Sequence, residues 1–136
     1  MTQEELDLLT KDLCSRLRSR IWVKIGEFSD YTLVGYDSVK DTFTVELVDN
    51  HSLPNYITDV PAHHMKPYLR SMSSMTEDEQ DEYLDLIIPV DGGKGVIEEE
   101  KFSKVQEFYS SHHLDYNGLI PMGIALEAPE GMYKID

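Results

Sequence analysis

The chain has 136 residues, 40% of them hydrophobic and 28% charged, a balance that excludes global disorder and fits one domain able to bury roughly two thirds of its unfolded surface. Its formal net charge of -14 disfavours direct contact with nucleic-acid backbones or anionic membranes, whose ligands neutralise phosphates with Lys and Arg. The single cysteine, Cys14, excludes an intramolecular disulfide and a multi-thiolate metal site.

The charge is uneven. Residues 1–20 carry four acids and four bases, residues 21–70 seven and four, and residues 71–136 fifteen and four. The switch falls in Lys66-Pro67-Tyr68-Leu69-Arg70-Ser71-Met72-Ser73-Ser74-Met75-Thr76-Glu77, where strand patterning gives way to helix patterning. The expectation is a single α+β domain over 1–136, with a helix and small sheet in 1–70 and an acidic helical half in 71–136. The N-terminal residues lack the basic and apolar regions of a secretory signal, and no apolar run is long enough to span a bilayer. A soluble, cytoplasmic protein follows as the expectation.

Thr2 and Glu5 have capping-box spacing, and Leu6, Leu9, Leu13 and Leu17 line one helical face, which predicts a helix over 3–19. Arg16, Arg18 and Arg20 fall near its C-terminal end, where cations meet the negative end of the helix dipole. From Ile21 the period becomes two. Strands are expected over 21–25, 31–36 and 43–48, a meander joined by the short loops 26–30 and 37–41. After a loop over 49–54, residues 55–58 suit a short fourth strand, while Pro61 and Pro67 argue against a long regular element between them. A short edge strand or helical turn near 65–69 would close a small, curved antiparallel sheet, either a meander or an open barrel.

Thr76 and Glu79 repeat the capping-box spacing and open a helix expected over 77–88, stopped by Pro89. Leu84, Ile87, Ile88 and Tyr83 form its apolar side, with Asp78, Asp81, Glu82 and Asp85 largely opposite. A glycine-rich connection over 91–95 leads to a third helix over 97–111 that buries Phe102, Val105, Phe108 and Tyr109. Residues 115–136 read as an irregular packed tail, broken by Gly118, Pro121, Gly123, Pro129 and Gly131, with one helical turn at its start.

No spacing in the chain meets the demands of a common chemistry. Gly92-Gly93-Lys94-Gly95 lacks the phosphate-loop spacing, and the helix that follows begins with Glu98-Glu99-Glu100, which would repel a phosphate. Cys14 flanks an apolar stripe as a buried structural thiol does. His63-His64 and His112-His113 are candidate metal ligands, but adjacent histidines point in different directions and none has an i, i+4 partner. No cofactor is expected. Trp22, Tyr31 and Tyr36, with Tyr56 and Tyr68, form the best candidate binding patch, because aromatic side chains dominate interface energetics.

Three segments carry a resemblance: Leu8-Leu9-Thr10-Lys11-Asp12-Leu13-Cys14-Ser15-Arg16-Leu17, the run Val60-Pro61 with Met65 to Glu77, and the tail Ser111-His112-His113-Leu114-Asp115-Tyr116-Asn117-Gly118-Leu119-Ile120 followed by Ala125 to Tyr133. Together they resemble an uncharacterised family of small acidic hypothetical proteins from gut bacteria and their phages or mobile elements. The resemblance implies an origin and a whole-chain unit, and carries no activity. Pro121 departs from the family's more helix-compatible tail. The functional expectation is a non-catalytic intracellular module that holds a protein partner through the aromatic patch or the acidic helices. Its alternatives are a DNA-mimic inhibitor of a nucleic-acid-binding protein, for which the acidic half supplies carboxylates in place of phosphates, and a metal-dependent enzyme built on the histidine pairs.

Overall fold

A computed structural model of the chain describes residues 1–48, 56–87 and 98–133. The first helix, α1 (Gln3–Ser15), starts where its capping box directs: Glu5 N–H donates to Thr2 Oγ1 at 3.1 Å, and Thr2 N–H donates back to Glu5 Oε1 at 3.0 Å. It ends earlier than the leucine spacing predicts, at Ser15, because Arg16 leaves helical geometry and Leu17 continues only as turn. Leu9 and Leu13 are fully buried.

The strands are β1 (Trp22–Ile25), β2 (Phe28–Asp37), β3 (Thr42–Leu47), β4 (Tyr56–Val60) and β5 (Met65–Leu69). A 3₁₀ turn, Ala62–His64, separates β4 from β5 between the two prolines. Strand β2 starts at Phe28, three residues before the alternation suggests, because Gly26 adopts φ +60° and closes a two-residue β1–β2 turn at Ile25 and Phe28. The meander has four strands instead of three.

Residues 65–69 differ most from expectation. They lie inside the sheet, not at its edge: β5 pairs antiparallel with β1 and carries β6 (Leu126–Glu127) in parallel on its other side. The described strands form one open sheet in the order β4-β3-β2-β1-β5-β6. Beyond β6 the parallel alignment extends to a bridge between Arg70 and Leu114, closed by Arg70 N–H to His113 C=O at 2.7 Å and Asp115 N–H to Arg70 C=O at 2.8 Å.

Residues opposed on a ladder share a face, so the registers sort the side chains. Val23, Tyr31, Leu33, Tyr36, Phe43, Val45, Val60 and Met65 lie on one face; Trp22, Lys24, Thr32, Glu46, Ile57, Lys66 and Tyr68 lie on the other. The first face is the core. Leu9 and Leu13 of α1 cover it from one side, and Leu119, Ile124 and Ala125 of the tail complete it. Each such fully buried aliphatic side chain contributes about 1.5–3 kcal/mol, which is why the tail is packed although it is irregular.

Two helices follow a second 3₁₀ turn, Met72–Ser74: α2 (Glu77–Ile87) and α3 (Glu98–Ser111). Tyr83 of α2 meets Phe108 and Tyr109 of α3, with ring centroids 5.8 Å apart in both pairs, and Tyr109 Oη donates to Tyr83 Oη at 3.1 Å. After α3 the tail forms turns and no helix; Asp115 accepts the N–H groups of Leu119 and Ile120 at 2.8 and 2.9 Å and holds those turns closed. The loop expected over 49–54, the glycine-rich connection over 91–95, and the side chains of Ile87, Ile88 and Phe102 lie outside the described residues.

Candidate functional site

Arg70 ties the two halves of the chain together. It follows directly on β5, is 6% exposed, and makes a bidentate pair with Glu79 of α2 at 2.7 and 2.8 Å. Its remaining guanidinium bonds go to the Ser74 carbonyl at 3.0 Å and the His112 carbonyl at 3.1 Å. Glu79 is thus shared three ways: it caps α2 through Thr76 N–H at 2.9 Å, pairs with Arg70, and lies 2.8 Å from His112 Nδ1. The Arg70 hydrogen bonds, joined by that of Thr76, hold its carboxyl well below the usual carboxylate range, at about 2. A planar fork on a carboxylate that is itself fixed by backbone leaves α2 one orientation on the sheet.

That orientation turns the charged side of α2 outward. Glu77, Asp78, Asp81, Glu82 and Asp85 are all exposed, with Leu84, 45% exposed, among them. Glu77 and Asp81, Asp78 and Glu82, and Asp81 and Asp85 stand four residues apart, where like charges repel. Among the described residues no Lys or Arg pairs with any of the five; Glu82 alone reaches a basic group, His112 Nε2 at 3.5 Å.

A second buried ion pair contacts the same segment of chain that Arg70 holds, at Leu114. Asp12 and Arg16, one turn apart on α1, are both fully buried and joined at 2.7 and 3.1 Å. Arg16 Nη2 also donates to the Leu114 carbonyl at 2.7 Å, its guanidinium lies 5.0 Å over the Tyr116 ring, and Asn117 donates to Asp12 at 2.7 Å. Arg16 therefore does not serve the helix dipole, as its position suggests; it fastens α1 to the tail.

The five aromatic residues of the expected patch do not lie on one surface. Tyr31 and Tyr36 face the core and pack against it, and Tyr36 Oη donates to Asp41 at 2.6 Å, which with burial pushes its hydroxyl up to about 12. Trp22 and Tyr68 occupy the opposite face, where Tyr68 is 8% exposed. Tyr56 is paired with Leu47 in the β3–β4 ladder, and its side chain lies outside the described residues.

The histidines have separate settings. His63 and His64 are exposed and in edge contact, with ring centroids 4.2 Å apart. His112 is held by Glu79, while His113 stacks on Tyr133 with centroids 3.9 Å apart. Burial, then the charges of Arg16 and Arg70, push the His113 imidazole down to about 4. Among the described residues no group of three or more His, Cys, Asp or Glu side chains is arranged to hold a metal ion. Burial followed by the charge of Asp41 raises the Cys14 thiol, which weakens it as a nucleophile.

Sequence reasoning found the Thr76–Glu79 cap but missed the Asp12–Arg16 and Arg70–Glu79 pairs and the part of Tyr133. The first pair had an i, i+4 spacing as a signal, whereas Arg70 and Tyr133 meet their partners only through the fold. Searches of protein-family models, of curated proteins and of solved structures each found no match for this chain. No helix among the described residues is long and apolar enough to cross a membrane.

Proposed function

We propose that the chain is a non-catalytic intracellular interaction module that needs no cofactor and holds a basic protein segment against the outer face of α2. The observation that carries this reading is the set of five exposed carboxylates that, among the described residues, have no Lys or Arg partner, on a helix held to the sheet by the buried Arg70–Glu79 pair. The like-charge pairs at i, i+4 each cost the helix about 0.2–0.5 kcal/mol, and a basic ligand turns that cost into attraction. Leu84, exposed beside Glu77 at the edge of the charged face, supplies an apolar contact to such a segment. The divided aromatic patch supports a shared docking surface less well.

The test is affinity capture from the native host at low and high salt, comparing the parent chain with the triple variant Asp78→Lys, Asp81→Lys, Asp85→Lys. The reading expects a basic protein that is retained by the parent, released as salt rises, and lost by the variant. Retention by the variant, or turnover of a common ester or phosphate substrate by the pure protein, would reject it. Displacement of the partner by duplex DNA would instead make the face a decoy for a phosphate backbone, an outcome compatible with the resemblance to small proteins of mobile elements.

A further inference from the structure

The molecule's basic groups are few, yet two of them are opposed across a ladder of the sheet. Lys24 of β1 and Lys66 of β5 are direct partners in the β1–β5 register, on the face opposite the core. Like charges placed directly opposite each other destabilise a sheet, and a chain with 26 acids to 12 Lys and Arg had ample means to avoid it. Among the described residues neither lysine is in an ion pair. The two flank a cavity of about 310 Å³ whose wall also carries His63 and His64, and whose apolar lining comes from Met1 and Leu126. Among the described residues no carboxylate lines it.

The geometry points to an anion-binding site at this cavity, taking a small phosphate-bearing molecule with an apolar body. Two ammonium groups and two imidazoles present several donors to a tetrahedral oxyanion, and lysine serves phosphates as a point charge where arginine favours planar carboxylates. The volume matches a small-molecule cleft, with few polar groups beside an apolar lining. A nucleic-acid strand is a poor occupant, because the remainder of a surface with net charge -14 repels it. The site is independent of the acidic face of α2 and stands whether or not that face binds a protein.

The experiment is an NMR titration of ¹⁵N-labelled protein with phenyl phosphate, with inorganic phosphate and benzoate as comparison arms. Phenyl phosphate should shift the amides of Lys24, Gly26, His63, His64 and Lys66 as a saturable group, with at least tenfold weaker binding in Lys24→Gln/Lys66→Gln. Inorganic phosphate should shift the same amides more weakly, since it lacks the apolar body. The exposed single variant Lys66→Gln should weaken binding several-fold, which guards against misfolding of the double variant. Removing opposed like charges should leave the thermal midpoint unchanged or raised. Three results would overturn the site: shifts scattered over the surface, equal affinity in both variants, or benzoate binding as tightly as phenyl phosphate.

Discussion

His113 holds a backbone conformation that its side chain disfavours. With φ +59° it is left-handed at the position where a helix end commonly uses glycine, and it closes α3 with a Schellman pattern: His113 N–H to Ser110 C=O at 3.2 Å and Leu114 N–H to Tyr109 C=O at 2.9 Å. Left-handed backbone costs a non-glycine residue about 1–2 kcal/mol. The imidazole's gain is its stack on Tyr133, whose hydroxyl accepts from Trp22 N–H at 3.0 Å and donates to Tyr68 C=O at 2.7 Å, bridging β1 and β5 beyond the prolyl position that has no N–H. Tyr133→Phe should therefore cost about 1–3 kcal/mol in urea denaturation, the desolvation of a buried donor left without its acceptor.

Two titrations at this scale have opposite chemistry and one direction. The His113 imidazole lies below its ordinary 6.5, so the unfolded chain takes up the proton first and stability falls as pH drops from 6.5 toward 4. The Glu79 carboxyl is lowered from 4.5 to about 2, so its contribution is complete above 4.5 and is lost as pH falls through 2. Urea midpoints measured from pH 7 to pH 2 should decline across both windows. His113→Phe, which keeps a ring against Tyr133, should flatten the upper window alone, and Glu79→Gln the lower.

At the scale of elements, α1 shows what local pattern can and cannot reveal. Its capping box and leucine stripe are local, and the helix forms where they place it. Asp12 and Arg16 sit beside that stripe like ordinary surface charges, and only contact with Leu114 and Asn117 shows that they are buried. Asp12→Ala should cost about 3–5 kcal/mol by chemical denaturation, because it strands a buried guanidinium, whereas Asp12→Ala combined with Arg16→Met should cost less than the single change. The two-residue strand β6 has too few residues for any period to appear, and its pairing with β5 depends on a residue separation no window covers. The same is true of the candidate sites. The acidity of α2 was legible, but not which of its acids is buried; the ladder pairing of Lys24 with Lys66 required the register.

On α2 itself, Asp81→Lys replaces repulsion from Glu77 and Asp85 with attraction to both. The helix should gain about 0.5–1 kcal/mol, read as a raised thermal midpoint, while capture of a basic partner weakens. Stability and binding moving in opposite directions would identify the acidic face as kept for a ligand and not for the fold.

Across the whole molecule, charge and connectivity divide the work. The acidic helices stand on one knot, Arg70, and the opposed lysines on the β1–β5 ladder, so a protein partner on α2 and an anion at Lys24 and Lys66 address different surfaces. Both knots that close the core reach far along the chain: Asp12 to Asn117 spans 105 residues and Trp22 to Tyr133 spans 111.

Those spans set an order of events during synthesis. The meander β1–β4 uses near neighbours and can assemble early, but the carbonyl that Arg16 needs and the hydroxyl that bridges β1 to β5 are made 98 and 111 residues after their partners. Until then the Arg16 cation lacks one of its three hydrogen bonds, and the sheet lacks the lid of Leu119 and Ile124. Closure of the tail is thus the non-local step, expected to follow assembly of the meander, and until it occurs the core face stays open to other apolar surfaces.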